Sequence, residues 1–427
     1  MIETIRRLLG GQEKPDLDAL KKRILAARSG PALPRETVIA ACAKLSDALA
    51  APEYAALLVG MGIPEERAQR ELCFARKMLS QEYLRARVRA ELGEEADTVF
   101  TPVLGEYPVR QGWRPLGVLM HISAGNVDAL PAFSVIEGLL TGNVNLLKLP
   151  REDNGLSFAA LSLLCEIEPA IRPFVEILDV PSEDTETLQK LAALADAVVV
   201  WGGDEAVRAV RRLAAPDTRI IEWGHKLSFA YFSGEPKDDA LRSAAINICS
   251  TEQLYCSSCQ GIFVDTDDFD AVCRVAERFA AILAEVSTQY PSFGGERLTA
   301  QKTLEICTEE LEALRDPDAK RVFRSGEASV IAYRDSMLAA SYQFRRPWIK
   351  PLPKERLPET LLPCKNRLQT VFLSCPDDSR EMLTELLLRT GVFRVTDGKR
   401  MSEEYCAIPH DGEYPLVRYM KRISVEI

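Results

Sequence analysis

Glu222 and Cys256 are the residues of this chain whose types and spacing most directly offer chemistry. Glu222 stands in Ile-Ile-Glu-Trp-Gly-His-Lys (220–226). Cys256 stands 34 residues later, in Glu-Gln-Leu-Tyr-Cys-Ser-Ser-Cys-Gln-Gly-Ile-Phe-Val (252–264). A cysteine on a loop just ahead of a strand can attack a carbonyl and hold it as a covalent thioester. The attacking species is the thiolate, so its surroundings must favour the anion. A carboxylate near the end of a strand can act as acid or base. The plainer reading of Cys256 is a small buried hydrophobe, the fate of most free cysteines. Cys256-Ser-Ser-Cys259 is also a C-x-x-C, open to metal or dithiol chemistry. No second such pair follows, and only His121, His225 and His410 supply imidazole, so no metal site is expected.

Three further segments carry polar or glycine residues at predicted strand ends. In Ile122-Ser-Ala-Gly-Asn126, the Asn126 amide can donate to a developing oxyanion or cap the next helix. Taken alone, the cap is the better reading. In Thr141-Gly-Asn-Val-Asn-Leu-Leu-Lys148-Leu-Pro-Arg151, Lys148 can reach a cofactor ribose, and Arg151 can pair with a 2′-phosphate through its planar fork. A surface Lys and Arg before a turn would look the same. In Trp201-Gly202-Gly203-Asp204, the glycines let backbone approach a pyrophosphate at a helix N-terminus. The full G-x-G-x-x-G fingerprint is missing, and a plain turn fits equally.

The elements that must position these residues follow from periodicity. Residues 17–95 read as helices, with helical apolar spacing over 36–50, 52–60 and 64–92. From about 115 the rhythm changes to strands 115–123, 143–149, 174–180, 197–201 and 219–223, with helices 127–140, 154–168, 183–194 and 204–214 between them. Such alternation indicates a parallel sheet with crossover helices, its strands buried on both faces. A second set follows: strands 228–232, 260–265, 328–333 and 367–374, with helices 237–250, 267–287, 296–314 and 377–391. Residues 345–366, rich in Pro, Arg and Lys, read as a surface loop. The chain closes with a polar strand over 417–427.

At 427 residues the chain exceeds one ordinary core. Its 47% hydrophobic and 27% charged content is that of a folded soluble protein. Net charge is −10 with no long basic block, so nucleic acid is not an expected partner. Eleven cysteines, scattered and odd in number, point to reduced thiols and a cytoplasmic protein. The N-terminus reads as an amphipathic helix rather than a signal peptide. No apolar run reaches membrane-spanning length.

Taken together, these segments resemble the aldehyde dehydrogenase superfamily. Pro115-Leu-Gly-Val-Leu-Met-His-Ile-Ser-Ala-Gly-Asn126 is similar to that family's Pro-x-Gly-Val segment leading to its oxyanion-hole Asn. Gly142-Asn-Val-Asn-Leu-Leu-Lys148 resembles its Gly-Asn…Lys cofactor strand. Glu222-Trp-Gly224-His-Lys226 is similar to Glu-Leu-Gly-Gly-Lys, and Glu252-Gln253 with Cys256 to the Gly-Gln…Cys nucleophile segment. Glu359-Thr-Leu-Leu-Pro363 resembles the Glu-Ile-Phe-Gly-Pro motif that touches the nicotinamide ribose. Gly412-Glu-Tyr-Pro-Leu-Val-Arg-Tyr419 resembles the closing segment that leads into the oligomerisation strand. The combination Ser-Ala-Gly-Asn-Val, Trp-Gly-Gly-Asp-Glu-Ala-Val and Cys-Ser-Ser is similar to the luminescence-type bacterial acyl-CoA reductases (LuxC) within that superfamily.

The resemblance implies an α/β, aldehyde dehydrogenase-like fold with a Rossmann-type cofactor domain and an α/β catalytic domain. It divides the chain into 1–228 (helical region and cofactor domain), 229–405 (nucleophile domain) and 406–427 (return and oligomerisation segment). It implies Cys256, Asn126 and Glu222 as catalytic residues. For the cofactor, NADPH or NADH, it implies Lys148, Arg151, Gly202, Gly203, Gly224 and Glu359. The implied reaction is reduction of a long-chain acyl-CoA or acyl-carrier thioester to the aldehyde, in a homo-oligomer, with an acyl-transferring or acyl-activating enzyme as a possible partner. Glu222 keeps a second reaction open, oxidation of an aldehyde to the acid. A non-catalytic subunit that binds nucleotide or acyl carrier is the third reading.

Overall fold

The computed structural model describes residues 15–60, 62–94, 101–102, 109–123, 129–150, 155–290, 296–326, 328–401 and 408–426. Met1–Gly224 with Tyr405–Ile427 form one compact unit, and His225–Glu404 form another.

The first unit holds a five-stranded sheet, β3 (Val118–Ile122), β4 (Val144–Lys148), β5 (Val175–Leu178), β6 (Ala197–Trp201) and β7 (Arg219–Trp223). Their spatial order is β5-β4-β3-β6-β7, and every pairing is parallel. β6 is a continuous apolar run, and β3 and β4 are buried almost throughout, as coverage of both faces requires. The chain moves outward from β3 to β5, then returns to β6 beside β3. That reversal opens a crevice at the carboxyl ends of β3 and β6, the usual ligand position in such sheets.

Helices α1 (Leu17–Ser29), α2 (Arg35–Ala48), α3 (Pro52–Gly60), α4 (Glu65–Leu79) and α5 (Gln81–Leu92) precede the sheet. The expected helix over 64–92 is two helices. Ser80 is extended (φ −65°, ψ 149°), and its hydroxyl caps α5 by accepting from the Tyr83 N–H. Crossover helices are α6 (Leu130–Leu140), α7 (Leu156–Ile167), α8 (Thr185–Ala192) and α9 (Asp204–Leu213). A three-stranded antiparallel sheet completes the unit, from β1 (Thr101–Pro102), β2 (Arg110–Pro115) and β15 (Met420–Val425). The closing strand is thus shorter than 417–427, because α15 (Pro415–Arg418) precedes it.

The second unit holds seven strands in the order β10-β11-β12-β9-β8-β13-β14. They are β8 (Leu227–Phe232), β9 (Cys259–Val264), β10 (Lys320–Ser325), β11 (Ala328–Tyr333), β12 (Trp348–Pro351), β13 (Leu368–Ser374) and β14 (Arg394–Thr396). Only the β10–β11 pair is antiparallel. Helices α10 (Asp238–Thr251), α11 (Phe269–Ser287), α12 (Glu296–Arg315), α13 (Leu357–Leu361) and α14 (Asp377–Arg389) connect them. The expected surface loop over 345–366 is corrected here, since β12 is fully buried between β9 and β11. Among the described residues, no helix is long and apolar enough to cross a membrane.

Candidate active site

In the first unit the polar residues collect at the carboxyl edge of the sheet. Lys148 ends β4 and is buried, and its ammonium donates to the Ser182 hydroxyl at 2.9 Å. Burial pulls its pKa down, against nearby Glu183 and Asp179. Trp201 ends β6 and delivers the chain to Gly202 and Gly203. Gly203 precedes α9 without a side-chain cap. A Cβ placed on Gly203 or on Gly224 meets nothing within 4 Å, so open space borders the backbone at both glycines. An uncapped helix N-terminus, bare glycine backbone and a buried lysine at a switch crevice fit the phosphates and ribose of a nicotinamide dinucleotide. Asp204 and Glu205 in the first turn of α9 oppose that fit electrostatically. Asn126 and Arg151 lie outside the described residues.

Glu222 on β7 is half-buried, and both its oxygens accept from Arg211 of α9, at 2.6 and 3.0 Å. Arg418, on the closing segment, donates to the Glu222 carbonyl at 3.1 Å and lies over the Trp223 ring at 4.8 Å. Trp201 and Trp223 stack with centroids 5.3 Å apart, and His410 meets both edge-on.

Behind Trp201 runs a buried polar chain that the sequence did not announce. Trp201 Nε1 donates to the Ser134 hydroxyl at 3.1 Å, and that hydroxyl lies 2.7 Å from His121 Nδ1. His121 Nε2 faces Asn145 Oδ1 at 3.0 Å, while the Asn145 amide nitrogen donates to the Asn143 and Phe174 carbonyls. An acceptor at Oδ1 requires the proton on Nε2. Burial pushes the imidazole down to about 4 and so holds it neutral, which leaves Nδ1 to accept from Ser134. A base whose folded value is depressed contributes stability that is present above its ordinary value near 6.5. That contribution is lost as pH falls toward 4. At roughly 1.4 kcal/mol per pKa unit the loss is about 3 kcal/mol. We expect the urea midpoint of the wild type to fall between pH 7 and 4.5 more steeply than that of His121→Gln. Parallel curves would contradict the assignment.

In the second unit Cys256 is half-buried on the turn between α10 and β9. Its carbonyl accepts from the Ser228 hydroxyl on β8 at 2.6 Å. That hydroxyl in turn accepts from the Thr370 N–H on β13 at 3.0 Å. Cys259 is fully buried at the start of β9, and its thiol donates to the Gly261 carbonyl at 3.3 Å. Burial pushes the Cys259 thiol up to about 12, so Cys256 is the accessible sulfur of the C-x-x-C. Glu359 sits on α13 with a side chain 77% exposed, and Arg356 is its ion-pair partner at 3.8 Å. Among the described residues, no three His, Cys, Asp or Glu side chains are grouped to hold a metal.

Sequence reasoning placed Glu252 and Gln253 in the nucleophile segment and missed Arg345, whose guanidinium grips the start of this turn. The Glu252 carboxylate accepts from Arg345 at 2.7 Å, with side chains 2% and 5% exposed. Gln253 donates to the Cys259 and Gln260 carbonyls. Both Glu252 and Gln253 have left-handed backbone, at φ 50° and 60°, each at a cost of about 1–3 kcal/mol.

A family profile described as acyl-CoA reductase (LuxC) matches residues 32–422. The chain is 26% identical over 323 residues to a long-chain acyl-protein thioester reductase of Aliivibrio fischeri, covering 73% of this chain and 64% of that protein. It is 24% identical over 319 residues to the Vibrio harveyi protein of the same name, covering 73% and 65%. The match thus spans just under two thirds of these relatives' own lengths. Among solved structures it is similar to lactaldehyde dehydrogenase from Escherichia coli, at TM-score 0.69 and 16% identity, covering 96% of this chain and 90% of that one. A NAD-dependent benzaldehyde dehydrogenase from Corynebacterium glutamicum gives TM-score 0.69 and 16% identity, covering 96% and 89%. At these identities the likeness is one of fold, and the expected aldehyde dehydrogenase-like α/β architecture is borne out.

Proposed function

We propose that this chain, which belongs to the acyl-CoA reductase (LuxC) family, reduces a long-chain acyl thioester to the aldehyde through a covalent thioester on Cys256. The observation that carries this reading is the contrast within the C-x-x-C. Cys256 is accessible on a turn pinned by Ser228, while Cys259 is sealed in the core.

The Cys256 sulfur, as thiolate, bonds to the acyl carbon. The oxyanion is held by the Cys256 N–H and the Asn126 amide. Collapse breaks the carbon–sulfur bond to the carrier, which leaves as thiolate and takes up a proton. The acyl group stays on Cys256. A nicotinamide cofactor, when bound, supplies the hydride that reduces the acyl carbon. The Cys256–carbon bond then breaks, freeing the aldehyde and restoring the thiolate. Lys148, Gly202, Gly203 and Gly224 would hold the cofactor, and Arg151 would favour NADPH over NADH by pairing with the 2′-phosphate. For Glu359 the ribose role rests on resemblance only. The carrier is CoA or an acyl-carrier protein, and an acyl-transferring or acyl-activating enzyme is the partner that would supply it. A homo-oligomer joined through the closing strand also belongs to this proposal.

Glu222 favours the reductase over aldehyde oxidation. Oxidation to the acid needs a base to activate water, yet both Glu222 oxygens accept from Arg211. In the reductase, Glu222 orders the end of β7. The test mixes the purified protein with a long-chain acyl-CoA and NADPH, following NADPH absorbance and free CoA together. Matched loss and release are expected. Absence of thiol release from both acyl-CoA and acyl-carrier substrates, with NADP-dependent oxidation of free aldehyde, would replace this reading with the oxidative one.

A further inference from the structure

Two segments of the nucleophile unit carry side-chain-bearing residues in the left-handed backbone region, and they are bonded to each other. Glu252 (φ 50°) and Gln253 (φ 60°) follow α10 and lead to Cys256. Gln343 (φ 60°), Phe344 (φ 50°) and Arg345 (φ 68°) succeed one another ahead of β12. Residues with a Cβ visit this region singly, because the Cβ crowds the following carbonyl oxygen. Three in succession facing a further two persist only where the surroundings over-determine them.

Those surroundings are specific. The Phe344 N–H donates to the Glu252 carbonyl at 2.8 Å, and the Arg346 N–H to Gln253 Oε1 at 2.9 Å. Arg345 donates to Glu252 Oε1 through Nη2 at 2.7 Å and Nε at 3.2 Å. Two further donors go to the Tyr290 carbonyl at 2.7 Å and the Ser287 carbonyl at 3.3 Å. A buried ion pair is weak support for stability, since apolar replacements of equal volume are often neutral. Its position explains it better. The pair grips the entrance of the turn whose interior is the nucleophile and whose exit is held by Gln253 on the Cys259 and Gln260 carbonyls.

We propose that Arg345 is a positioning residue, and that Gln343–Arg346 is a clasp holding the strained turn so that the Cys256 sulfur and N–H keep their orientation. The inference rests on the reading of Cys256 as nucleophile. It assigns a function to a loop whose hydrogen bonds reach Glu252 and Gln253 of that turn.

The test uses the full chain in two variants. E252Q/R345M removes both charges at similar volume, and R345K keeps the charge without the planar fork. Alkylation of Cys256 by iodoacetamide, located by peptide mass, is followed from pH 6 to 10 without substrate. The kcat and KM for a long-chain acyl-CoA are measured beside it. We expect E252Q/R345M to keep its thermal midpoint while kcat falls about a hundredfold, the effect of a misplacement of about 1 Å. KM should change little, and the pH profile of alkylation should move. R345K should recover part of both. If E252Q/R345M does not fold, R345K alone must show the shifted profile. Reactive wild-type protein with variants of unchanged profile and kcat would overturn the clasp alone. Wild-type Cys256 that resists both alkylation and acylation by thioester would overturn the nucleophile reading as well.

Discussion

Cys256→Ala should abolish acyl transfer, lowering kcat for thioester reduction by on the order of 10⁴- to 10⁶-fold, the cost of removing a covalent nucleophile. The reaction has no second route on these residues. The neighbouring sulfur, Cys259, is sealed in β9 with its thiol pushed up to about 12, so it cannot substitute as a thiolate at neutral pH. Wild-type protein incubated with acyl-CoA alone should gain one acyl mass on the peptide carrying Cys256 and release one CoA. The alanine variant should do neither, yet still quench or shift NADPH fluorescence on binding. Cys259→Ala is the discriminating control. It removes one half of the C-x-x-C and should leave kcat within a few-fold, with some loss of stability from the vacated core space. Equal loss of activity in both variants would mean that the two thiols work as a redox pair.

The largest expected effect on stability comes from Arg87→Met. Arg87 on α5 is enclosed between two carboxylates, with Nε 2.6 Å from Glu91 and Nη2 2.6 Å from Glu137. The free oxygen of Glu91 accepts from the Leu416 N–H at 2.8 Å, and that of Glu137 from the Tyr419 hydroxyl at 3.3 Å. Removing the cation leaves two buried charges uncompensated, which costs about 3–5 kcal/mol. Burial already pushes the Glu91 carboxyl above its ordinary value despite Arg87. A carboxyl raised in the folded state favours folding below its unfolded pKa, and that advantage is lost as pH rises through the folded value. The deficit of Arg87→Met should therefore be smaller at pH 5 than at pH 8 in urea titrations. R87M/E91Q/E137Q should recover much of the loss. A deficit under 1 kcal/mol at pH 8 would show the triad to be unimportant.

How much of this was legible depended on whether local pattern and tertiary role agreed. Strands β3, β4, β6 and β8 are mostly apolar and flanked by helical periodicity, so their place in parallel sheets could be read directly. Strand β12 could not. Trp348-Ile349-Lys350-Pro351 lies among Arg and Pro, and Lys and Pro argue for surface. The structure buries it because Asp335 and the Met337 carbonyl satisfy the Lys350 ammonium, at 2.7 and 2.9 Å, and because Gly261 lets Trp348 lie against β9. Strand β10 carries Lys320, Arg321 and Arg324, the charges of a sheet edge, and was not among the expected strands. At the candidate site, Lys148, Gly203 and Cys256 were marked by residue type at element ends. The Glu252–Arg345 pair was not, since 93 residues separate its members and no local rule joins them. A left-handed turn built on Glu and Gln instead of Gly gave no signal either.

The first unit is not contiguous along the chain. Its β2 finds β15 only after the whole of 225–404 has been made. At ribosomal rates that interval is on the order of ten seconds to half a minute. Throughout it, Asn143 lacks the Tyr419 carbonyl, and Glu91 lacks the Leu416 N–H. The nascent first unit therefore waits with these polar groups unmatched, while the second unit is one unbroken stretch of chain. The first unit is completed only once the segment beyond 404 has been made, and that segment decides when it closes.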